Sequence, residues 1–344
     1  MKYTSILFTG PDQIAVDQVD YDFLPLSDHD VLVQTHYSLI SAGTELACLS
    51  GVEAWFRFPG IPGYASIGEV VDVGAQVTAV SPGDIVYGMG GHRQYQLFDT
   101  ANPRTLCVKA PEGMDLSQAV FTRMICVAFT ALRISNIELG DYVAVTGLGL
   151  VGNFAAQLAG LQGGRAIGLD LDEKRVGLAQ DCGIANALVI DQSTLRADVK
   201  AITGGADVTT LIEATGNPRA LPPVLPIVGR YGEVILLGTP RGAYETNLTA
   251  VLSHVHLDGL GNVTFKGAHE WRYPVPRDPF VKHSILRNAE LALDLIRSGD
   301  LQVLPLHTHT LKPEQAEEAY DGLKNKKDEY IGVVFDWTGV APTI

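Results

Sequence analysis

Gly147, Gly149 and Gly152, followed by an acid at Asp170, are the residues whose spacing points most directly to chemistry in this chain. A β-branched run, Tyr142-Val143-Ala144-Val145-Thr146, precedes them. Asn153 to Leu161 follows with helical spacing that puts Phe154, Leu158 and Leu161 on one face. Ala166-Ile167-Gly168-Leu169 then reads as a buried strand ending at Asp170. Strand, glycine turn, helix, strand and acid in that order make a dinucleotide-binding unit. The first glycine permits the tight turn, and the second lets backbone N–H groups approach a pyrophosphate. The third lets helix and strand pack closely, and the helix N-terminus, begun by Leu150 and Val151, favours the anion. Asp170 would accept hydrogen bonds from a ribose diol, whereas a 2′-phosphate would meet its charge and that of Asp172. NAD is therefore the expected cofactor rather than NADP. Leu171 adjoins Asp170, and Arg175 is spaced to stack near an adenine, with a solvated helix charge as its plainer reading.

The elements that must position this turn follow from the rest of the chain. At 344 residues it is about twice the length of a single-domain chain, so two domains are expected. With 46% hydrophobic residues it can bury sizeable cores. The net charge of −14 argues against nucleic acid or an anionic membrane as a partner. Cys48, Cys107, Cys126 and Cys182 form no CxxC pair and suggest no disulfide framework, which fits a reducing, cytoplasmic setting. The apolar run at the N-terminus is too short for a signal peptide, and no stretch approaches a membrane span.

Residues 1 to about 115 read as β-rich, with strands at Val31 to Tyr37, Ile67 to Val73 and Ile85 to Tyr87, punctuated by glycine and proline as in a small antiparallel barrel. Leu116 to Arg133 has helical spacing. From Tyr142 strands and helices alternate, with further strands at Leu188 to Ile190, Val208 to Glu213, Val234 to Gly238 and Val263 to Phe265. Such alternation predicts a doubly wound parallel sheet. Thr215-Gly216 and Gly238-Thr239 close two of its strands at the carboxyl edge, where ligands bind. Ala289 to Arg297 reads as an amphipathic helix, and Tyr330 to Phe335 as a closing strand. The expected layout is an α/β chain in two parts: a β-rich domain from 1–123 and 269–344, and a nucleotide domain from 124–268.

That layout resembles the medium-chain dehydrogenase/reductase superfamily over nearly the whole chain. Ala42-Gly43-Thr44-Glu45 is similar to the family's Cys-Gly-Thr-Asp, and Pro62-Gly63-Tyr64-Ala65 to its Pro-Gly-His-Glu. Gly68 to Gly74, Pro82 to Val86 and Ile331 to Phe335 are similar to its usual strands. The resemblance implies a GroES-like catalytic domain beside a Rossmann domain, NAD-linked hydride transfer on a small alcohol or carbonyl compound, and a homodimer or homotetramer formed through the nucleotide-sheet edge. It also puts Thr215, Gly216, Gly238 and Thr239 near the nicotinamide, and Thr44 at the family's proton-relay hydroxyl. The Ile40 to Glu45 run also resembles the hydroxyethyl-bacteriochlorophyllide dehydrogenase group.

The departures matter most. Zinc members bind catalytic metal with cysteine, histidine and a third ligand; the corresponding positions here are Ala42, Tyr64 and, less securely aligned, Arg123. Methyl, phenol and guanidinium cannot make a zinc site, and no four-cysteine loop lies between residues 85 and 120. The resemblance is thus to a zinc-independent branch, with no metal expected. Tyr64 is the candidate acid/base and Arg123 its electrostatic support, a nearby guanidinium lowering a phenol's pKa from about 10. Against this, Tyr64 fills the vacated metal space only, and Arg123 pairs with Glu45 or Glu69. Trp55, His92, His269 and Trp271 are the candidate substrate-side residues. Trp55 has a plainer alternative in an aromatic loop packed on the barrel, and the 266–273 segment in a subunit interface. His254/His256 and His307/His309 read as histidine pairs at strand spacing, more in keeping with packing than with metal. A secondary alcohol of a polyol, sugar or cyclitol is the expected substrate. Enone, quinone or carbonyl reduction is the alternative, as is a catalytically silent nucleotide-binding protein.

Overall fold

The computed structural model describes residues 2–340. Two compact units emerge: one runs to Arg123 and resumes at Tyr273, and the other spans Met124–Arg272.

The first unit opens with an antiparallel hairpin, β1 (Lys2–Gly10) and β2 (Gln13–Asp20), that sequence periodicity did not single out. Next come β3 (Asp30–Leu39), helix α1 (Ala42–Leu49), β4 (Ser66–Val73), β5 (Ile85–Gly88), β6 (Tyr95–Asp99) and β7 (Cys107–Lys109). Strand β3 organises the unit. It pairs along one edge with β4; along the other its first half pairs with β6. The first half of β3 is buried on both faces: Val31 and Val33 join Val70, Val86 and Phe98 in one core, and Leu32 packs with Tyr3 and Tyr95 in another.

The expected helix over Leu116 to Arg133 is two helices, α2 (Leu116–Ala119), capped by the Asp115 side chain, and α3 (Thr122–Ile134). Between them the Phe121 N–H turns back to the Gln118 carbonyl, and the buried Phe121 ring packs on His307. Burial of a large ring overrides local helix propensity here.

The second unit holds β8 (Tyr142–Thr146), α4 (Leu150–Leu161), β9 (Arg165–Asp170), α5 (Glu173–Asp181), β10 (Asn186–Val189), α6 (Leu195–Thr203), β11 (Val208–Glu213), α7 (Leu221–Val224), β12 (Val228–Leu236), α8 (Leu248–His256) and β13 (Thr264–Gly267). All six strands are parallel, in the order β10-β9-β8-β11-β12-β13. The chain winds outward from β8 in one direction, then crosses back to start β11 beside it, so the topological switch lies between β8 and β11. Val143, Ala144, Val145, Leu211, Ile212, Val234 and Ile235 have no exposed surface, as expected of parallel strands covered on both faces. Helix α4 buries Phe154 and Leu158, but Leu161, expected on the same face, is 50% exposed at the helix end.

His254 and His256 lie on helix α8, not on a strand. Leu248, Val251, Leu252 and Val255 recur at helical spacing, and that period outweighs the local β-branched signal. Two residues apart on a helix, the imidazoles are turned about 200° from each other and share no face.

The chain returns to the first unit through α9 (Ile285–Ser298), β14 (His307–Leu311), α10 (Ala316–Asn325) and β15 (Gly332–Asp336). Strand β15 pairs with the end of β3, so a C-terminal element completes the N-terminal sheet. His307 and His309 are on β14 but separated by a register shift; His309 stacks on Tyr330, ring centroids 3.7 Å apart. No helix of the described residues is long and apolar enough to cross a membrane.

Candidate active site

In the second unit, the glycine turn sits at the switch point. Gly147 has φ +89°, and a Cβ there would stand 2.7 Å from Thr215 Cγ2 and 3.0 Å from the Thr215 nitrogen. At Gly152 a Cβ would fall 1.7 Å from the Gly147 carbonyl oxygen, so only glycine lets the first turn of α4 close on the loop. Gly149, the N-cap of α4, has open space where a Cβ would be and no side-chain cap, leaving the helix N-terminus free for an anion. Leu150 and Val151 form the turn above it.

Asp170 ends β9. Its Oδ2 accepts from the Leu148 N–H at 2.6 Å, its Oδ1 accepts from the Asp172 N–H at 3.1 Å, and Arg175 Nη1 stands 3.9 Å from Oδ2. The carboxylate is therefore locked to the glycine turn. Leu171 beside it is exposed.

The loops after β11 and β12 meet backbone to backbone: a Cβ on Gly216 would stand 2.5 Å from the Thr239 carbonyl oxygen, and one on Gly238 2.2 Å from the Gly216 nitrogen. Glu213, which sequence reasoning missed, braces this junction by accepting from the Thr215 hydroxyl and from its N–H at 2.7 Å. Burial pushes the Glu213 carboxyl above the usual carboxylate range. Glycines at the switch, an open helix N-terminus and an acid at the end of the neighbouring strand fit a dinucleotide.

The first unit gathers a different set. Helix α1 carries Ala42 and Thr44, and the loop entering β4 carries Tyr64. The Tyr64 phenol donates to Ser41 Oγ, and the Thr44 hydroxyl also bonds it. The Arg123 guanidinium, at the start of α3, lies 4.9 Å from the Tyr64 ring centroid, within cation–π range. Sequence reasoning missed Ser41; its signal is a hydroxyl immediately before the family's metal-cysteine position.

The expected direction of the phenol shift is overturned. Tyr64 keeps part of its surface open but is closely surrounded, and burial raises its pKa above the ordinary value. Arg123 and the Ser41 and Thr44 bonds pull it down, Glu45 pushes it up, and loss of hydration is the largest effect.

Two further readings change. His92, expected over the substrate, is fully buried: Nε2 contacts Glu45 Oε2 at 2.9 Å and Nδ1 contacts Ser38 Oγ at 2.8 Å, so both ring nitrogens are used internally. Glu45, offered as a partner for Arg123, accepts instead from the Ser41 N–H at 2.7 Å and the Tyr320 hydroxyl at 2.6 Å as well as contacting His92. Glu69 is exposed on β4. Trp55 is 64% exposed, with Nε1 donating to Glu53 at 3.0 Å. His269 and Trp271 are exposed on the second unit.

Comparison with known proteins sets these units in context. Residues 27–127 match the family described as Alcohol dehydrogenase GroES-like domain, and residues 151–273 match Zinc-binding dehydrogenase. The chain belongs to the medium-chain dehydrogenase/reductase superfamily. It is an oxidoreductase of the alcohol dehydrogenase type. An uncharacterized zinc-type alcohol dehydrogenase-like protein of Haemophilus influenzae is 22% identical over 96% of this chain and 98% of its own length. D-guloside 3-dehydrogenase of Escherichia coli is 30% identical over 45% of this chain and 44% of its own. A putative zinc-binding dehydrogenase of Sinorhizobium meliloti, solved with NADP, superposes with a TM-score of 0.77 at 19% identity, covering 98% of this chain and 99% of that one. That neighbour's ligand is a nicotinamide dinucleotide.

The superfamily's zinc is a poor fit to the donors present. Ala42 offers no ligand atom, Tyr64 is engaged by hydroxyls, and Arg123 is cationic. Among the described residues no group of three or more His, Cys, Asp or Glu side chains is arranged to hold a metal ion.

Proposed function

We propose that this dehydrogenase uses NAD to interconvert a secondary alcohol of a polyol, sugar or cyclitol with the corresponding carbonyl compound, without catalytic zinc. The observation that carries the reading is the Tyr64 phenol, held by the Ser41 and Thr44 hydroxyls under the Arg123 guanidinium, where superfamily relatives place metal ligands. A bound nicotinamide supplies a hydride acceptor or donor at its C4. Tyr64 exchanges the proton: its phenolate oxygen takes the substrate hydroxyl proton in oxidation, and its O–H returns it to the carbonyl oxygen in reduction. Arg123 stabilises the negative charge that forms on oxygen in either direction. Ser41 and Thr44 fix the phenol and donate to it once it is deprotonated. Asp170, with Asp172 beyond it, supports NAD over NADP by repelling a 2′-phosphate. A sugar-oxidising relative, D-guloside 3-dehydrogenase, supports the substrate class.

The test joins a substrate screen to a metal assay. Polyols and sugars are offered with NAD, quinones and enones with NADH, and the active protein is analysed for zinc and treated with a chelator. Turnover on the hydroxylated substrates, sub-stoichiometric zinc and no loss on chelation are expected. Stoichiometric zinc in active protein overturns the metal-free chemistry. Turnover confined to quinones or enones overturns the substrate class.

A further inference from the structure

Behind Tyr64 lies a buried polar network that the reaction does not use directly. Glu45, His92, Tyr320, Ser38 and Trp337 each have 2% or less of their surface exposed. They come from α1, the turn before β6, α10, β3 and the chain after β15. Trp337 Nε1 donates to Ser38 Oγ at 2.8 Å, so with the His92 proton on Nε2 the Ser38 hydroxyl donates to Nδ1. The Glu45 carboxylate then accepts from three donors: the Ser41 N–H, the Tyr320 hydroxyl and His92 Nε2. Every polar group of the set is matched, as a buried network requires.

This network touches Tyr64 from two sides. Glu45 holds the backbone of Ser41, whose hydroxyl receives the phenol proton. His92 accepts no freedom at Gly63, the residue before Tyr64: a Cβ on Gly63, whose φ is +92°, would stand 2.8 Å from the His92 ring, and the His92 N–H donates to the Pro62 carbonyl at 2.8 Å. Tyr64, Ser41, Glu45, His92 and Gly63 thus close a ring of contacts around the phenol.

We propose that Glu45 and His92 are positioning residues for Tyr64, Glu45 acting through Ser41 and as the negative charge behind the phenol, and His92 acting through Gly63. This rests on the reading of Tyr64 as the proton-exchanging group. The charged groups acting on that phenol are Arg123 from α3 and Glu45 from α1, and they oppose each other. Removing the Glu45 charge takes away the smaller of the two effects that keep the phenol neutral, burial being the larger, and the phenol ionises more readily.

The experiment measures the phenol without substrate. Near-ultraviolet phenolate absorbance of the full chain is titrated with and without Glu45→Gln, the Tyr64→Phe protein serving as the subtractive reference. The amide keeps the Ser41 contact and can still bond Tyr320 and His92. The Tyr64 midpoint is expected to fall, with thermal unfolding still cooperative. An unchanged midpoint in folded Glu45→Gln protein overturns the proposal. For His92, the His92→Gln protein should lower kcat by about tenfold in the wild-type background yet add no loss in the Tyr64→Phe background. Equal losses in both backgrounds would mark a general structural role and overturn the His92 assignment. A shifted midpoint in protein with no turnover on any alcohol would leave the positioning intact while refuting the proposed reaction, so the two failures separate.

Discussion

Tyr64 makes opposite demands on pH in the two reaction directions, and the structure states the sign. Burial holds the phenol above its ordinary pKa of about 10 despite Arg123. At pH 7 fewer than about one molecule in a thousand then carries the phenolate. Oxidation of the alcohol needs that phenolate, so its kcat/KM should rise about tenfold per pH unit from pH ~7 and reach no plateau before pH ~10. Reduction of the carbonyl needs the phenol, which is almost fully populated over the same span, so its kcat/KM should stay flat. Proton release also pulls the overall equilibrium toward oxidation as pH rises, but initial rates extrapolated to limiting substrate report the free enzyme's ionisation. Replacing Tyr64 by Phe removes the exchanging oxygen, and general acid–base catalysis of this kind contributes about 10²–10⁴-fold, or ~3–5 kcal/mol of barrier. The assay is initial-rate kinetics in both directions with wild-type and Tyr64→Phe protein, cofactor affinity being followed by NADH fluorescence. A wild-type oxidation profile already level by pH ~8, or a Tyr64→Phe protein with unaltered kcat/KM and slope, would refute the reasoning.

The nucleotide-binding unit carries consequences of its own. Asp170→Ser removes the charge facing a 2′-phosphate and the acceptor for the Leu148 N–H; the preference for NADH over NADPH should fall at least about tenfold, read as the ratio of their dissociation constants. Gly152→Ala drives a Cβ to 1.7 Å from the Gly147 carbonyl oxygen, which must displace the turn; a loss of ~1–3 kcal/mol in stability is expected with strongly weakened NADH binding, measured by denaturant unfolding and fluorescence titration. Phe154→Ala empties a fully buried site under α4 and should cost ~3–5 kcal/mol in unfolding free energy, with the first unit's hairpin untouched by hydrogen exchange.

The nucleotide-binding sheet is legible in the sequence because its strands are buried on both faces. Such strands read as short runs rich in β-branched and apolar residues, and β8, β9 and β11 coincide with those runs almost residue for residue. The β1–β2 hairpin is not legible in the same way. Strand β2 is largely exposed or half-buried, so its alternation is diluted by Asp17, Gln18 and Asp20. Helix α8 misled because a His-Val-His triplet weighs more in a short window than four apolar residues at helical spacing. At the candidate site, the substitution of Tyr64 for a metal ligand is visible in one dimension, and so is the nearby Arg123. What one dimension cannot carry is the balance among them. The sign of the Tyr64 shift depends on how many atoms surround the phenol, and those come from residues far apart in sequence. The His92 reading failed for the same cause: its partners Glu45 and Ser38 lie 47 and 54 residues away.

The arrangement around Tyr64 also explains why losing the metal ligands leaves a coherent site rather than a damaged one. A divalent cation at such a position would stabilise an alkoxide directly, and nothing nearby would need to release a proton slowly. With a guanidinium in its place, the positive charge is fixed to a helix and spread over three nitrogens, so it stabilises less per unit charge and cannot bind the substrate oxygen covalently. A hydrogen-bonding partner for that oxygen is then required, and a hydroxyl with a high pKa supplies one without adding a second buried charge. The carboxylate of Glu45 is tolerable behind it because three donors from α1, α10 and the turn before β6 satisfy it. Buried Arg123 and buried Glu45 thus stand on either side of a neutral phenol. Charge on the phenol would relieve one of them and aggravate the other, and with hydration removed the neutral form prevails. The carboxylate differs from the hydroxyls in kind: it acts on the phenol through space and also, by holding the Ser41 N–H, on the hydroxyl that receives the phenol's hydrogen bond.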